Sequence, residues 1–123
     1  MLKSLRSFLL LSLIFLPFIA NAAIDSPLLI IRFNQPYISY QKSLDRAVIA
    51  AVQTKSSVFF DIVSIYPEDS GFMSKNDSKS VSEKLTNPII DQIKQLGVAE
   101  DRIRLTYQER ADATFNEVHI FVR

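Results

Sequence analysis

Apolar and polar positions recur along this 123-residue chain with changing period, and each change marks off an element. The chain opens on an uncharged apolar stretch, Phe8 to Ile19, broken only by Ser12 and Pro17. Lys3 and Arg6 precede it and Ala20-Asn21-Ala22 follows it. A basic start, an apolar middle and small residues at the −3 and −1 positions predict a secretory signal peptide cleaved after Ala22. The apolar middle is well short of the roughly 20 residues that cross a bilayer as a helix. No stable membrane anchor is therefore expected after cleavage, and residues 23–123 are expected to form one domain.

Beyond the leader the period alternates between two and three-and-a-half. Leu28-Leu29-Ile30-Ile31-Arg32-Phe33 predicts a first strand that ends at Asn34-Gln35-Pro36, and its nearly unbroken apolarity predicts cover on both faces. Ser39 is placed to cap a helix. Leu44, Ala47, Val48, Ala51 and Val52 then recur at i, i+3, i+4, i+7 and i+8, which predicts an amphipathic helix of about four turns. Val58 to Tyr66 reads as a second strand, with Val58, Phe60, Ile62 and Tyr66 on one face and Phe59, Asp61, Val63 and Ile65 on the other. A strand that is apolar on both faces belongs in the middle of a sheet. Pro67 ends it.

Glu68 to Ser80 is polar and reads as a loop. Val81, Leu85, Ile89, Ile93 and Leu96 predict a second helix, stopped by Gly97. Pro88 either kinks that helix or opens a fresh one capped by Asn87. Two alternating strands close the chain. In the first, Ile103, Leu105 and Tyr107 oppose Arg102, Arg104 and Thr106; in the second, Val118, Ile120 and Val122 oppose Glu117, His119, Phe121 and Arg123. The order β-α-β-α-β-β predicts an α/β (α+β) two-layer sandwich, a mixed sheet with both helices on one face.

Composition narrows the chemistry. Loss of Lys3 and Arg6 with the leader leaves 12 basic residues against 13 acidic, a net charge of −1. Such a balance has no footprint for nucleic acid. Cysteine is absent, which excludes disulfides, thiol nucleophiles and thiolate metal sites. Gly71 and Gly97 are the only glycines, so no Gly-rich phosphate loop can form. No cofactor is expected. A single histidine, His119, makes no zinc site without acidic partners at suitable spacing, so no metal is expected either.

Several of these residues also match a known pattern. The Leu28–Phe33 strand, the Leu44–Val52 helix, and the run Ile93-Lys94-Gln95-Leu96-Gly97-Val98-Ala99-Glu100-Asp101-Arg102-Ile103 resemble the OmpA-type C-terminal domain. Asn116-Glu117-Val118-His119-Ile120 is similar to the closing strand of that family. The resemblance implies a periplasmic module of a Gram-negative envelope that binds peptidoglycan. It also implies a ligand site built from an acid after the second strand, here Glu68 or Asp69, and a cation on the second helix. The family's arginine falls at Leu85, with Lys84 beside it. A lysine lacks the two-pronged donor geometry of arginine, so the usual route to peptidoglycan is incomplete. The chain is similar, too, to small exported bacterial proteins that end in Asn-Glu-Val-His-Ile-x-Val-Arg, a likeness that carries no activity with it.

The remaining candidates divide between chemistry and packing. His119 could act as a base or a pH-sensitive contact, but a partly exposed strand residue packed on an arginine or tyrosine is the expected role. Glu68, Asp69 and Asp77 could serve a hydrolase, although adjacent acids in a polar loop are ordinarily solvated. Ser70, Ser74, Ser78, Ser80 and Ser82 lack nucleophile-elbow glycines and are expected to fill the loop and cap the helix. Phe59, Asp61, Arg104, His119 and Phe121 all fall on the helix-free face of the sheet, where cationic, aromatic and apolar groups together suit a protein interface. Either a partner or the Tyr37–Tyr40 segment could cover that face. The overall expectation is a non-enzymatic envelope protein acting through protein contacts, an accessory subunit of a larger assembly, with peptidoglycan binding as the alternative.

Overall fold

A computed structural model describes residues 26–68 and 75–123; the leader, its cleavage site and Asp69 lie outside the described residues. Six main elements follow in order: β1 (Leu29–Phe33), α1 (Gln41–Thr54), β2 (Phe60–Pro67), α2 (Lys75–Gln95), β3 (Ile103–Arg110) and β4 (Asn116–Val122). A single 3-10 turn, Glu100–Arg102, leads into β3. The four strands form one sheet in the order β1-β4-β2-β3. β2 runs parallel to β3 and antiparallel to β4, and β1 runs antiparallel to β4. The expected two-layer α+β architecture, a mixed sheet with two helices on one face, is what the chain adopts. No described helix is long and apolar enough to cross a membrane.

Strand alternation sorts the side chains. Ile31 of β1, Phe60 and Ile62 of β2, and Val118 and Ile120 of β4 point toward the helices, where they meet Leu44 and Val48 of α1 and Ile89 and Ile93 of α2 in one buried cluster. β2 lies between two neighbours, as its two apolar faces predicted. β1 does not follow the same logic. It is an edge strand with Ile31 buried and Arg32 exposed, so its apolarity does not reflect cover on both faces.

Three local expectations are corrected. Tyr40, not Ser39, precedes the first turn of α1, and no side chain caps that end. Val52 lies at the fringe of the apolar stripe of α1 and is 38% exposed. Residues 75–80 belong to α2 rather than to a loop, and Pro88 sits inside one continuous 21-residue helix. At its far end the helix stops as expected. Gly97 takes φ 101°, its N–H donates to the Lys94 carbonyl, and the Val98 N–H reaches back to that of Ile93. Those paired bonds are a Schellman C-cap, which requires the left-handed backbone that glycine adopts without a Cβ penalty.

The earlier start of α2 changes what it buries. Its sheet-facing line runs Ser78, Ser82, Thr86, Ile89 and Ile93, so three hydroxyls occupy one half and aliphatics the other. Ser64 of β2 faces that polar half. Its hydroxyl bonds those of Ser82 and of Thr86, the latter at 2.7 Å, and Thr86 also donates to the Ser82 carbonyl at 2.7 Å. Ser78 and Ser82 are therefore interior residues rather than loop filling. Val81 and Leu85, the apolar residues of that half, are only half-buried.

Candidate functional site

The second face of the sheet has no helix packed on it among the described residues. β2 contributes Asp61, Val63 and Ile65, while β4 contributes Phe121, His119 and Glu117 directly opposite them. β3 adds Arg104, Thr106 and Gln108, and β1 adds Ile30 and Arg32. Ile65 is buried even here, in the row between Glu117 and Gln108. The Tyr37–Tyr40 segment does not cover this face. Tyr37 is 92% exposed, and Tyr40 packs its ring edge-on against Phe33 on the helix side.

Two carboxylates organise the polar region of the face. Asp61 accepts from Arg123 through both oxygens, at 2.7 Å and 3.3 Å, and from Arg104 at 3.2 Å. The Arg123 fork is the main reason that the Asp61 carboxyl titrates below its ordinary value; desolvation opposes the effect, and Arg104 adds to it. Arg123 is in turn held protonated by the same carboxylate. Glu117 fills the equivalent role elsewhere on the face. It forms an ion pair with Arg32 at 3.4 Å and meets His119 Nε2 at 2.7 Å.

Phe59 extends the first cluster beyond the end of β2. Its backbone exchanges two 3.0 Å hydrogen bonds with Arg123, continuing the β2–β4 ladder by one pair. The Arg123 guanidinium lies 5.1 Å from the Phe59 ring centre and that of Arg102 lies 5.4 Å from it. Arg102, Phe59, Arg123, Asp61 and Arg104 thus form a continuous ladder across β3, β2 and β4. Two of its guanidiniums, those of Arg104 and Arg123, hold the Asp61 carboxylate, and the third, that of Arg102, rests on the Phe59 ring. Asp61, Val63, Arg104, Thr106 and Phe121 line a shallow groove of about 450 Å³ on this face, closed at one end by Val122 and Arg123.

No family model matches the chain, and no curated protein does. Among solved structures it is similar to the C-terminal domain of MotB from Helicobacter pylori, at 12% identity, over 76% of this chain and 83% of that one, with a TM-score of 0.48. What the open face can do follows from this chain's own residues.

The sequence-based candidates separate cleanly. Asp61, Arg104, His119 and Phe121 share the open face, and Phe59 joins them at its end. Arg123 and Arg102 complete the ladder. Alternation placed both on this face, but the contact with Phe59 depends on a pairing one residue past the strand end, which no local pattern reveals. His119 packs on Phe121, with ring centres 6.4 Å apart, and on Glu117 rather than on an arginine or tyrosine.

The candidates drawn from the family resemblance lie elsewhere. Glu68 is exposed at the carboxyl end of β2, where its N–H donates to the Arg110 carbonyl at 3.3 Å. Lys84 is exposed on α2. Lys79, one turn earlier, is the lysine directed at the sheet, with its ammonium 5.3 Å from the Tyr107 ring centre. The Tyr107 phenol is raised above its ordinary value, first by burial and then by the charge of Glu83. Asp77 stands in the first turn of α2, so it is not a member of an acidic loop.

Proposed function

We propose that this protein is a non-enzymatic component of the cell envelope that works by docking a protein partner on the open face of its sheet. The observation that carries the reading is the composition of that face. Arginines, aromatic rings and the apolar side chains Ile30 and Val63 alternate across four strands, with no described element over them. Arginine and aromatic residues are the types enriched at protein interfaces, because they combine large contact area with directional polar groups. Asp61 is held by two arginines, and Glu117 by Arg32 and the His119 ring, which fits a recognition surface better than acid–base catalysis. The signal-peptide layout that the sequence predicts for residues 1–22 supports the periplasm as the site of action.

The test is photo-crosslinking in intact cells, with the reactive residue introduced at Thr106 on the open face or at Lys42 on the exposed side of α1. Capture of a defined protein from Thr106 and not from Lys42 is the expected result. Equal capture at both positions, or none at Thr106, overturns the reading.

A second reading is peptidoglycan binding through Glu68 or Asp69 as acid and Lys84 as cation. It is favoured by the position of Glu68 at the carboxyl end of the parallel β2–β3 pair, the end at which open α/β sheets accept ligands. Co-sedimentation of the full chain with purified sacculi, lost on Glu68→Ala or Lys84→Ala, would support this route. A chain left wholly in the supernatant rules it out.

A further inference from the structure

We propose that the partner is read through an acidic peptide segment that carries an apolar anchor, bound where the open face turns under the end of α1. This rests on the docking reading above and assigns its chemistry. A second depression, of about 400 Å³, opens beside the groove between β1, β4 and the last turn of α1. Leu28, Ala51, Val58 and Val122 make its walls apolar, and Lys55 and Arg123 supply its charge. Val122 and Arg123 line both depressions, so groove and cleft form one continuous surface around the end of β4.

Charge selects the occupant. Lys55, Arg104 and Arg123 line the combined surface against Asp61 as its one acidic side chain, in a mature segment whose total charge is −1. Asp61 does not exhaust the arginines. A guanidinium has five N–H donors; Asp61 takes one from Arg104, whose side chain is 67% exposed, and two from Arg123, which is 48% exposed. Asp61 on one side and Phe59 on the other hold the Arg123 fork in place, so a partner carboxylate meets donors that are already oriented. Exposed ion pairs are individually weak. The apolar cleft therefore provides the hold, and the cations provide the selection. A nucleic acid or a lipid surface would need a far larger basic area than these three cations offer.

The test pans a display library of random nonapeptides on the full chain. Enriched sequences are expected to carry Asp or Glu in excess over Lys and Arg, next to a Leu, Ile, Val or Phe. The leading peptide, synthesised and measured by fluorescence anisotropy, should weaken about tenfold or more on the double substitution Arg104→Glu and Arg123→Glu, a change that rim charge reversal can deliver. Lys55→Glu, which disturbs neither the Asp61 nor the Phe59 contact, should weaken it by a smaller factor in the same direction. Replacing the apolar residue of the peptide by Gly should also weaken binding, and added salt should do so for the charged component. Enrichment of basic or uncharged peptides, no enrichment, or affinities unchanged by all three substitutions overturns the proposal. The wider docking reading fails differently: capture at Thr106 that survives Arg104→Glu and Arg123→Glu leaves docking intact and removes only the acidic partner.

Discussion

The Ser64 hydroxyl of β2 and the Thr86 hydroxyl of α2 meet at 2.7 Å inside the core, both essentially inaccessible to water. With Ser82 they join sheet to helix by hydrogen bonds at a level where the rest of the core uses only apolar contact. Such a cluster fixes the position of α2 along β2, because sliding the helix by one residue breaks both bonds to Ser64 and leaves Thr86 only its bond to the Ser82 carbonyl.

Ser64→Ala removes a partner from Ser82 and Thr86 together. A loss of about 1–3 kcal/mol is expected, the range for buried polar groups left unsatisfied. Adding Thr86→Val should cost less than its effect alone, since the two changes share one bond. Urea unfolding of the two single variants and the double variant measures both terms.

Asp61→Asn tests the open-face carboxylate through pH. The folded-state value is held below the ordinary one, chiefly by Arg123, so the stabilisation is fully present above about pH 4 and disappears as pH falls through the lowered value. The variant should be less stable than the parent at pH 7 by about 0.5–1 kcal/mol, a modest figure because both arginines reach into solvent. Once pH has fallen below that lowered value the two proteins should converge. Denaturation midpoints collected across that range decide the matter.

Gly97→Ala separates space from backbone. A Cβ at this position would meet nothing within 4 Å, yet φ is 101°. The expected cost is about 1 kcal/mol, arising from the conformation alone. A Gly97→Asn variant, which tolerates the left-handed region better, should lose less, and thermal melts of the pair give the order.

Pro88→Ala should stabilise the protein. Pro88 is exposed in the interior of α2 and cannot donate to the carbonyl one turn back. Restoring that donor outweighs the stiffness proline gives the unfolded chain, for a net gain of about 1–2 kcal/mol. A rise in melting temperature with unchanged far-ultraviolet dichroism is the expected signature.

Much of the architecture was legible because its signals are local and redundant. Leu44 and Val48 at helical spacing marked α1. The two apolar faces of Val58–Tyr66 placed β2 centrally, and alternation in the last two strands put Arg104, His119 and Phe121 on one face. The failures share a physical origin. Ser78 and Ser82 read as loop filling or helix caps because hydroxyls bury only when a partner such as Ser64 waits across the interface, and Ser64 is distant in sequence. That same misreading made residues 75–80 look like a loop. The edge position of β1 was hidden by its apolar run, since one buried face and a flanking cluster can demand as many aliphatics as two faces. The Asp61 ladder was half visible: alternation sets the face, but only the strand register brings Phe59 against Arg123.

The strand order carries a temporal consequence. β1, the earliest of the described strands to be synthesised, hydrogen-bonds in the sheet only to β4, the last of them. Until β4 has emerged from the ribosome, β1 has no strand to pair with, and β2 lacks one of its two neighbours. Closure of the sheet therefore waits for β4, which joins its earliest described strand to its middle one.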